Sequence, residues 1–190
     1  MKTLTASSAS LSLHEAFMPI HIVIDGYNLI RQSRLLSEVD QIDIQRGREV
    51  LLERLSDYRE IRKHRITVVF DGFGAPFFST PADRFKGIDI RFSRRGESAD
   101  AVIKRMTSRL KEKALVVSSD RDITDHAVLQ GAATISSREF EKKIANTSAN
   151  LDEYTETEME ISWAPTTKKK GPRRRLSKRA RRSRIKIEKL

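Results

Sequence analysis

The sequence predicts an α/β protein built on a mainly parallel sheet, and three observations carry the prediction. Short apolar, β-branched runs recur along the chain at IHIVID, RITVVF, ALVV and ATI. Amphipathic stretches of helical length lie between most of them. Strand and helix therefore alternate, and such alternation implies crossover connections that cover both faces of a parallel sheet.

From Pro19, the run IHIVID is a buried strand leading into turn chemistry at Asp25-Gly26-Tyr27-Asn28. Residues 43–63 place Ile44, Val50, Leu51, Leu55 and Tyr58 at helical spacing with charges opposite, which predicts a long amphipathic helix. RITVVFDG is a second strand and IDIRFS (88–93) a shorter third. Ser98 opens a helix over 98–112, where Ala101, Val102, Met106 and Leu110 share a face. ALVVSSD (114–120) is a fourth strand, ITDHAVLQGA a short helix closing at Gly131, and ATI a fifth strand. The last helix starts in SSREFEKKI, whose Ser-x-x-Glu opening has the form of a capping box.

Composition divides the chain into three parts: a disordered leader (1–17), a globular domain (18–146) and a disordered tail (147–190), acidic first and then basic. The leader lacks the continuous apolar stretch of a secretory signal. Met18, directly before the first strand, is an alternative start of translation, and Trp163 is a docking point within the tail. The net charge of +11 is local: residues 168–190 hold 13 of the 37 Lys and Arg and one of the 26 acids. The remainder is almost neutral, so the basicity belongs to a tail suited to electrostatic contact with nucleic acid. With no cysteine, disulfides and thiolate metal sites are excluded, in keeping with a cytoplasmic location. No apolar run approaches the ~18 residues needed to cross a membrane.

Three apolar strands end in an acid: Asp25 after IVI, Asp71 after VVF, and Asp120 after VVSS with Asp122 two residues on. The carboxyl ends of parallel strands share one edge, where ligands bind, so acids remote in sequence should converge there. Glu97 and Asp100, flanking a helix start, extend the group. Each Asp alone could simply cap a helix or a turn. A cluster of carboxylates repels itself unless a hard divalent cation compensates, and such a cation bridges readily to phosphate. Acids without a cysteine nucleophile, joined to a basic tail, point to metal-assisted hydrolysis of a phosphodiester. Ser118 and Ser119 have no histidine placed to activate them. A dehalogenase-type phosphatase would want Asp where Tyr27 stands.

Four motifs follow one another in order: Asp25-Gly26-Tyr27-Asn28-Leu29, Val69-Phe70-Asp71-Gly72, Glu97-Ser98-Ala99-Asp100 and Ser118-Ser119-Asp120-Arg121-Asp122. Together they resemble the NYN domains of the PIN-like nuclease superfamily, in the YacP-like bacterial branch. Gly131-Ala132 and Ser136-Ser137-Arg138-Glu139-Phe140 fit the same branch, and the resemblance spans about residues 19–145. It implies a PIN-like three-layer sandwich with strand order 3-2-1-4-5. It also implies an endoribonuclease dependent on Mg²⁺ or Mn²⁺, acting on mRNA or ribosome-associated RNA. Asp25, Asp100 and Asp120 would be the principal metal-site acids, with Asp71, Glu97 and Asp122 as further candidates. Asn28 and Ser119 would position phosphate or metal-bound water. Arg94 and Arg95 are candidates for a phosphate clamp or a solvated loop. The alternative function is a noncatalytic RNA- or ribosome-binding adaptor on a nuclease-like fold.

Overall fold

Strand β1 (His21–Asp25) occupies the middle of a six-stranded sheet, flanked by β2 (Arg65–Phe70) and β5 (Ala114–Val117). With β3 (Ala82–Phe85), β4 (Ile88–Phe92) and β6 (Ala133–Ile135), the order is β3-β4-β2-β1-β5-β6. The computed structural model describes residues 20–72, 82–153 and 177–190, so the expectations for the leader 1–17, Met18, Trp163 and residues 168–176 lie outside the described residues. All pairs are parallel except β3–β4.

The predicted order 3-2-1-4-5 survives as β4-β2-β1-β5-β6, with β3 added at the edge. That strand, Ala-Asp-Arg-Phe, is mostly exposed and carries no apolar alternation to betray it. It pairs because Lys86 and Gly87 both take positive φ, 42° and 82°, in the tight two-residue turn that joins it to β4.

Seven helices surround the sheet among the described residues: α1 (Gly26–Gln32), α2 (Arg34–Ile42), α3 (Ile44–Arg62), α4 (Ala99–Leu110), α5 (Arg121–Leu129), α6 (Ser137–Glu153) and α7 (Lys178–Glu188). A 3₁₀ turn, Lys111–Lys113, follows α4. The turn expected after β1 is in fact α1, and α2 was not foreseen either. Both are short and separated by caps: Ser33 accepts from the Leu36 amide and Asp43 from those of Gln45 and Arg46. The capping box at the head of α6 is present, with Glu139 N–H donating to Ser136 Oγ and Ser136 N–H to Glu139 Oε2.

Period-two alternation sorts the strand residues into two cores. Ile22 and Ile24 join Leu51, Leu55, Tyr58, Phe70 and Phe140 on one face. Val23 joins Val69, Val102, Ile103, Val116 and Ile123 on the other. The result is the expected three-layer arrangement, α1, α3 and α6 on one side and α4 and α5 on the other.

The reading of 147–190 as a disordered tail did not anticipate two elements. Helix α6 continues through Glu153, and α7 packs on the body. Leu190 is buried in the first core, Ile187 packs against it, and Tyr58 Oη donates to the Leu190 carbonyl at 2.9 Å. His64 Nε2 donates to the Lys189 carbonyl at 3.2 Å. The basic composition of this segment hides a sparse apolar set, Ile187 and Leu190, that is enough to moor one face of a helix.

Candidate active site

Every loop that leaves the carboxyl edge of the sheet carries a polar group. Asp25 closes β1, Asp71 follows β2, Ser93 follows β4, Ser118 to Asp120 follow β5, and Ser136 and Ser137 follow β6. Helices α4 and α5 start at the same edge, with Asp100 in the first turn of one and Asp120 as the N-cap of the other. Acids at helix N-termini are favoured by the amide dipoles, which makes this edge tolerant of negative charge.

Asp25 is the centre of the group. Its side chain is 8% exposed, Oδ1 accepts from the Asn28 amide at 3.2 Å, and Oδ2 accepts from Ser118 Oγ at 3.1 Å. Burial pushes its carboxyl up to about 6, against the two hydrogen bonds, and the charges of Asp100 and Asp120 push it further the same way. Asp100 is itself raised by burial, then by Asp120 and Asp122, with Lys104 opposing. Asp25, Asp100 and Asp120 therefore lie within electrostatic reach of one another. Gly26 permits the approach from below: a Cβ there would meet the Phe70 ring at 2.3 Å.

A second network ties the edge together. Asn28 Oδ1 accepts from the Ser119 amide at 3.0 Å and from Ser137 Oγ at 2.8 Å, which links α1, the β5 loop and the start of α6. Ser119 Oγ donates to Gln32 Oε1 and accepts from the Ser137 amide. The Ser119 amide and Ser137 Oγ, with Gln32 Nε2 as a third donor at 3.4 Å, fix the amide orientation of Asn28. Its Oδ1 is thus committed to the scaffold. Ser119 is similarly committed. Ser118 Oγ donates to Asp25 and accepts from the Asp120 amide. No described histidine bonds to Ser118 or Ser119: His21 pairs with Thr67, His126 with Ser108 and His64 with Lys189.

The other candidate acids are engaged elsewhere. Glu97 is paired with Arg105, whose hydrogen bond holds its carboxyl below the usual range. Asp122 is paired with Lys104. Asp71 Oδ1 accepts from Ser93 Oγ at 3.2 Å, and the same hydroxyl accepts from the Gly72 amide. Arg94 and Arg95 are exposed on the β4–α4 loop at this edge.

Sequence reasoning missed several supporting residues: Ser93, Ser137, Gln32, Lys104 and Arg48. Arg48 is 2% exposed, donates from Nε to Tyr27 Oη at 2.8 Å, and lies against the rings of Tyr27, Phe70 and Phe92. Nothing in an amphipathic helix pattern marks one arginine as buried. Ser119 was expected to position phosphate or metal-bound water and is found tying loops together, while the bonding roles of Ser118 and Ser137 were not marked by the sequence.

Asp100 and Asp120 act on the charge of Asp25, and Asp120 on that of Asp100, so these three are the side chains that could offer oxygens to a cation here. Among the described residues, no group of three or more His, Cys, Asp or Glu forms a ready-made metal cage. An all-oxygen set of this openness suits a hard ion that keeps several waters and takes further ligands from phosphate, and does not suit a closed tetrahedral site.

A parallel sheet with acids gathered at its carboxyl edge, between two helical layers, defines a PIN-like domain of the nuclease superfamily that contains the NYN proteins. The profile of the YacP-like NYN domain matches residues 22–188, and the chain belongs to that family. The match runs through α7, so the basic helix lies inside the family's span and not outside it. The chain is 24% identical over 126 residues to the uncharacterized protein YacP of Bacillus subtilis (strain 168), covering 65% of this chain and 74% of that protein. Its fold resembles the crystal structure of Rae1 (YacP) from Bacillus subtilis at a TM-score of 0.61 and 23% identity, covering 73% of this chain and 80% of that one. A mutant form of the same protein matches at a TM-score of 0.61 and 22% identity, covering 70% and 80%.

Proposed function

We propose that the protein is a metal-dependent endoribonuclease, cutting RNA phosphodiester bonds to leave 5′-phosphate and 3′-hydroxyl ends. The observation that supports this best is the convergence of Asp25, Asp100 and Asp120, with Asp25 ionising against its own burial. Family membership supports a nuclease-like, RNA-related role. Mg²⁺ or Mn²⁺ held by these acids would supply a water of lowered pKa and neutralise charge on the leaving oxygen.

The chain's own residues do the rest. Asp25, whose ionisation burial opposes, gains a partner for its buried negative charge when a divalent cation binds, so the cation would be held where the chain most needs one. Asn28 positions the β5 loop through Ser119 and offers its Nδ2 to a phosphate oxygen. Arg94 and Arg95 face solvent beside the acids and would bind the flanking phosphates. Lys104, held by Asp122, contributes positive charge next to Asp100. RNA, in mRNA or bound to the ribosome, is the proposed partner, and the cytoplasm the proposed location. No described helix is long and apolar enough to cross a membrane.

A second reading, a noncatalytic RNA- or ribosome-binding adaptor, is favoured by the absence of a preformed acid cage among the described residues and by the pairing of Glu97 and Asp122 with basic partners. One experiment separates the two. The purified full chain is incubated with RNA and Mn²⁺, with and without EDTA, alongside Asp25→Asn and Asp120→Asn. The nuclease reading expects cleavage that EDTA and either substitution abolish while RNA binding persists. Cleavage retained in both variants would remove these acids from the mechanism, and no cleavage by the unaltered chain would favour the adaptor.

A further inference from the structure

Helix α7 docks at the amino edge of the sheet. A cleft of about 210 Å³ separates it from the body, lined by Ile20 just before β1, the 3₁₀ turn just before β5, and Gly131 just before β6. The candidate active site is at the opposite, carboxyl edge. At ~3.3 Å per residue, the five residues of β1 put roughly 13 Å of strand between the two ends.

The cleft is strongly electropositive. Lys113 on the body and Arg179, Arg182, Lys186 and Lys189 from the α7 segment surround one acid, Glu112. Glu112 is already used, accepting from Arg182 at 2.9 Å. Arg179 and Lys113 have no acidic partner among the described residues. Burial also lowers Lys186, a cost that a bound anion would relieve. Cations crowded along this cleft repel one another, and α7 is nevertheless held there by Leu190, Ile187 and the Tyr58 bond. The positive charge of Lys113 and Arg179, matched by no acid among the described residues and held in a concave site, is the complement of a polyanion backbone, whereas a flat membrane surface would not enter the cleft.

We propose that the cleft between α7 and the 3₁₀ turn is a phosphate-backbone site that anchors RNA at the edge of the sheet remote from the acids, so that long RNA is held at both edges and short RNA only at one. The proposal builds on the RNA-directed reading above, and it separates attachment from chemistry. Its test measures binding without cleavage. Anisotropy of a labelled, long structured RNA is followed in EDTA across a salt series, for the full chain and for Lys113→Gln, Arg179→Gln and the double variant. Lys113 lies on the body, so its single variant leaves the packing of α7 intact, and circular dichroism checks that the helix is retained.

The expected result for the double variant is an affinity loss of about tenfold at low salt and a log–log salt slope shallower by about 1–2, as for two lost phosphate contacts. Cleavage of an oligoribonucleotide too short to reach across the sheet should stay at the unaltered rate. Unchanged affinity and slope would overturn the proposal, as would binding of anionic phospholipid vesicles in place of RNA. If no cleavage is found for any form but binding still depends on Lys113 and Arg179, the nuclease reading falls and the anchor stands.

Discussion

Replacing Asp25 by Asn should make the protein more stable while removing its proposed activity. In the folded state the Asp25 carboxyl sits at about 6, against a usual 3.8, chiefly because burial penalises the charge. Between those two pH values the unfolded chain has lost a proton that the folded chain retains, so stability falls as pH rises from 3.8 through 6 and stays reduced above it. A difference of about two units corresponds to roughly 3 kcal/mol at neutral pH. Asn removes that penalty. Its Oδ1 still accepts from the Asn28 amide, and its Nδ2 can donate to Ser118 Oγ in place of the present bond. Allowing about 1 kcal/mol for less favourable hydrogen bonding, the net gain is about 2 kcal/mol. For a domain of this size that raises Tm by roughly 4–8 °C.

The assay is thermal unfolding of both proteins in EDTA at several pH values from 3.5 to 8, ~0.5 unit apart. The gain of Asp25→Asn should be absent at the acid end, grow through pH 4–6 and level off above. Added Mn²⁺ should raise Tm of the unaltered chain and leave the variant little changed, since a ligand that binds only the folded state stabilises it. A variant less stable than the unaltered chain at pH 8, or a gain independent of pH, would refute the buried-charge account.

Two further outcomes follow from His21, at the other end of β1, and from Asn28. His21, buried and bonded to Thr67 Oγ1 at 2.8 Å, is lowered to about 4 from 6.5 by burial first and then by Arg65. The unfolded chain therefore binds a proton that the folded chain refuses, and this contribution to stability, about 3 kcal/mol in full, is lost as pH falls from 6.5 through 4. His21→Gln should flatten that loss, read as the difference in urea midpoint from the unaltered chain, and an unchanged acid slope would count against it. Asn28→Ala should cost about 1–3 kcal/mol by leaving the Ser119 amide and Ser137 hydroxyl without their acceptor. Amide exchange at Ser119 should rise with it, and protection as in the unaltered chain would show that the tie is dispensable.

The sequence by itself determined the parallel part of the sheet, though not its edge strand β3. Apolar β-branched runs at IHIVID, RITVVF and ALVV can be buried on both faces only as inner parallel strands, and that burial fixes which end of each carries an acid. That Asp25, Asp71 and Asp120 stand at the same edge was legible for the same reason: strand ends share an edge whatever the loops do. Tertiary structure decided everything that depends on side-chain partners. Glu97 looks like a fourth acid along the chain, yet it lies two helical turns from Arg105 and pairs with it. Asn28 has the position of a substrate contact, yet its oxygen is taken by Ser119 and Ser137, residues about a hundred positions away. The basic segment shows the largest gap. Composition says that 178–188 is a solvated charge run, and charge density does dominate its average properties. A helix docks when one of its faces finds apolar partners, and for Ile187 and Leu190 those partners are supplied by a core that exists only once the rest of the chain has folded.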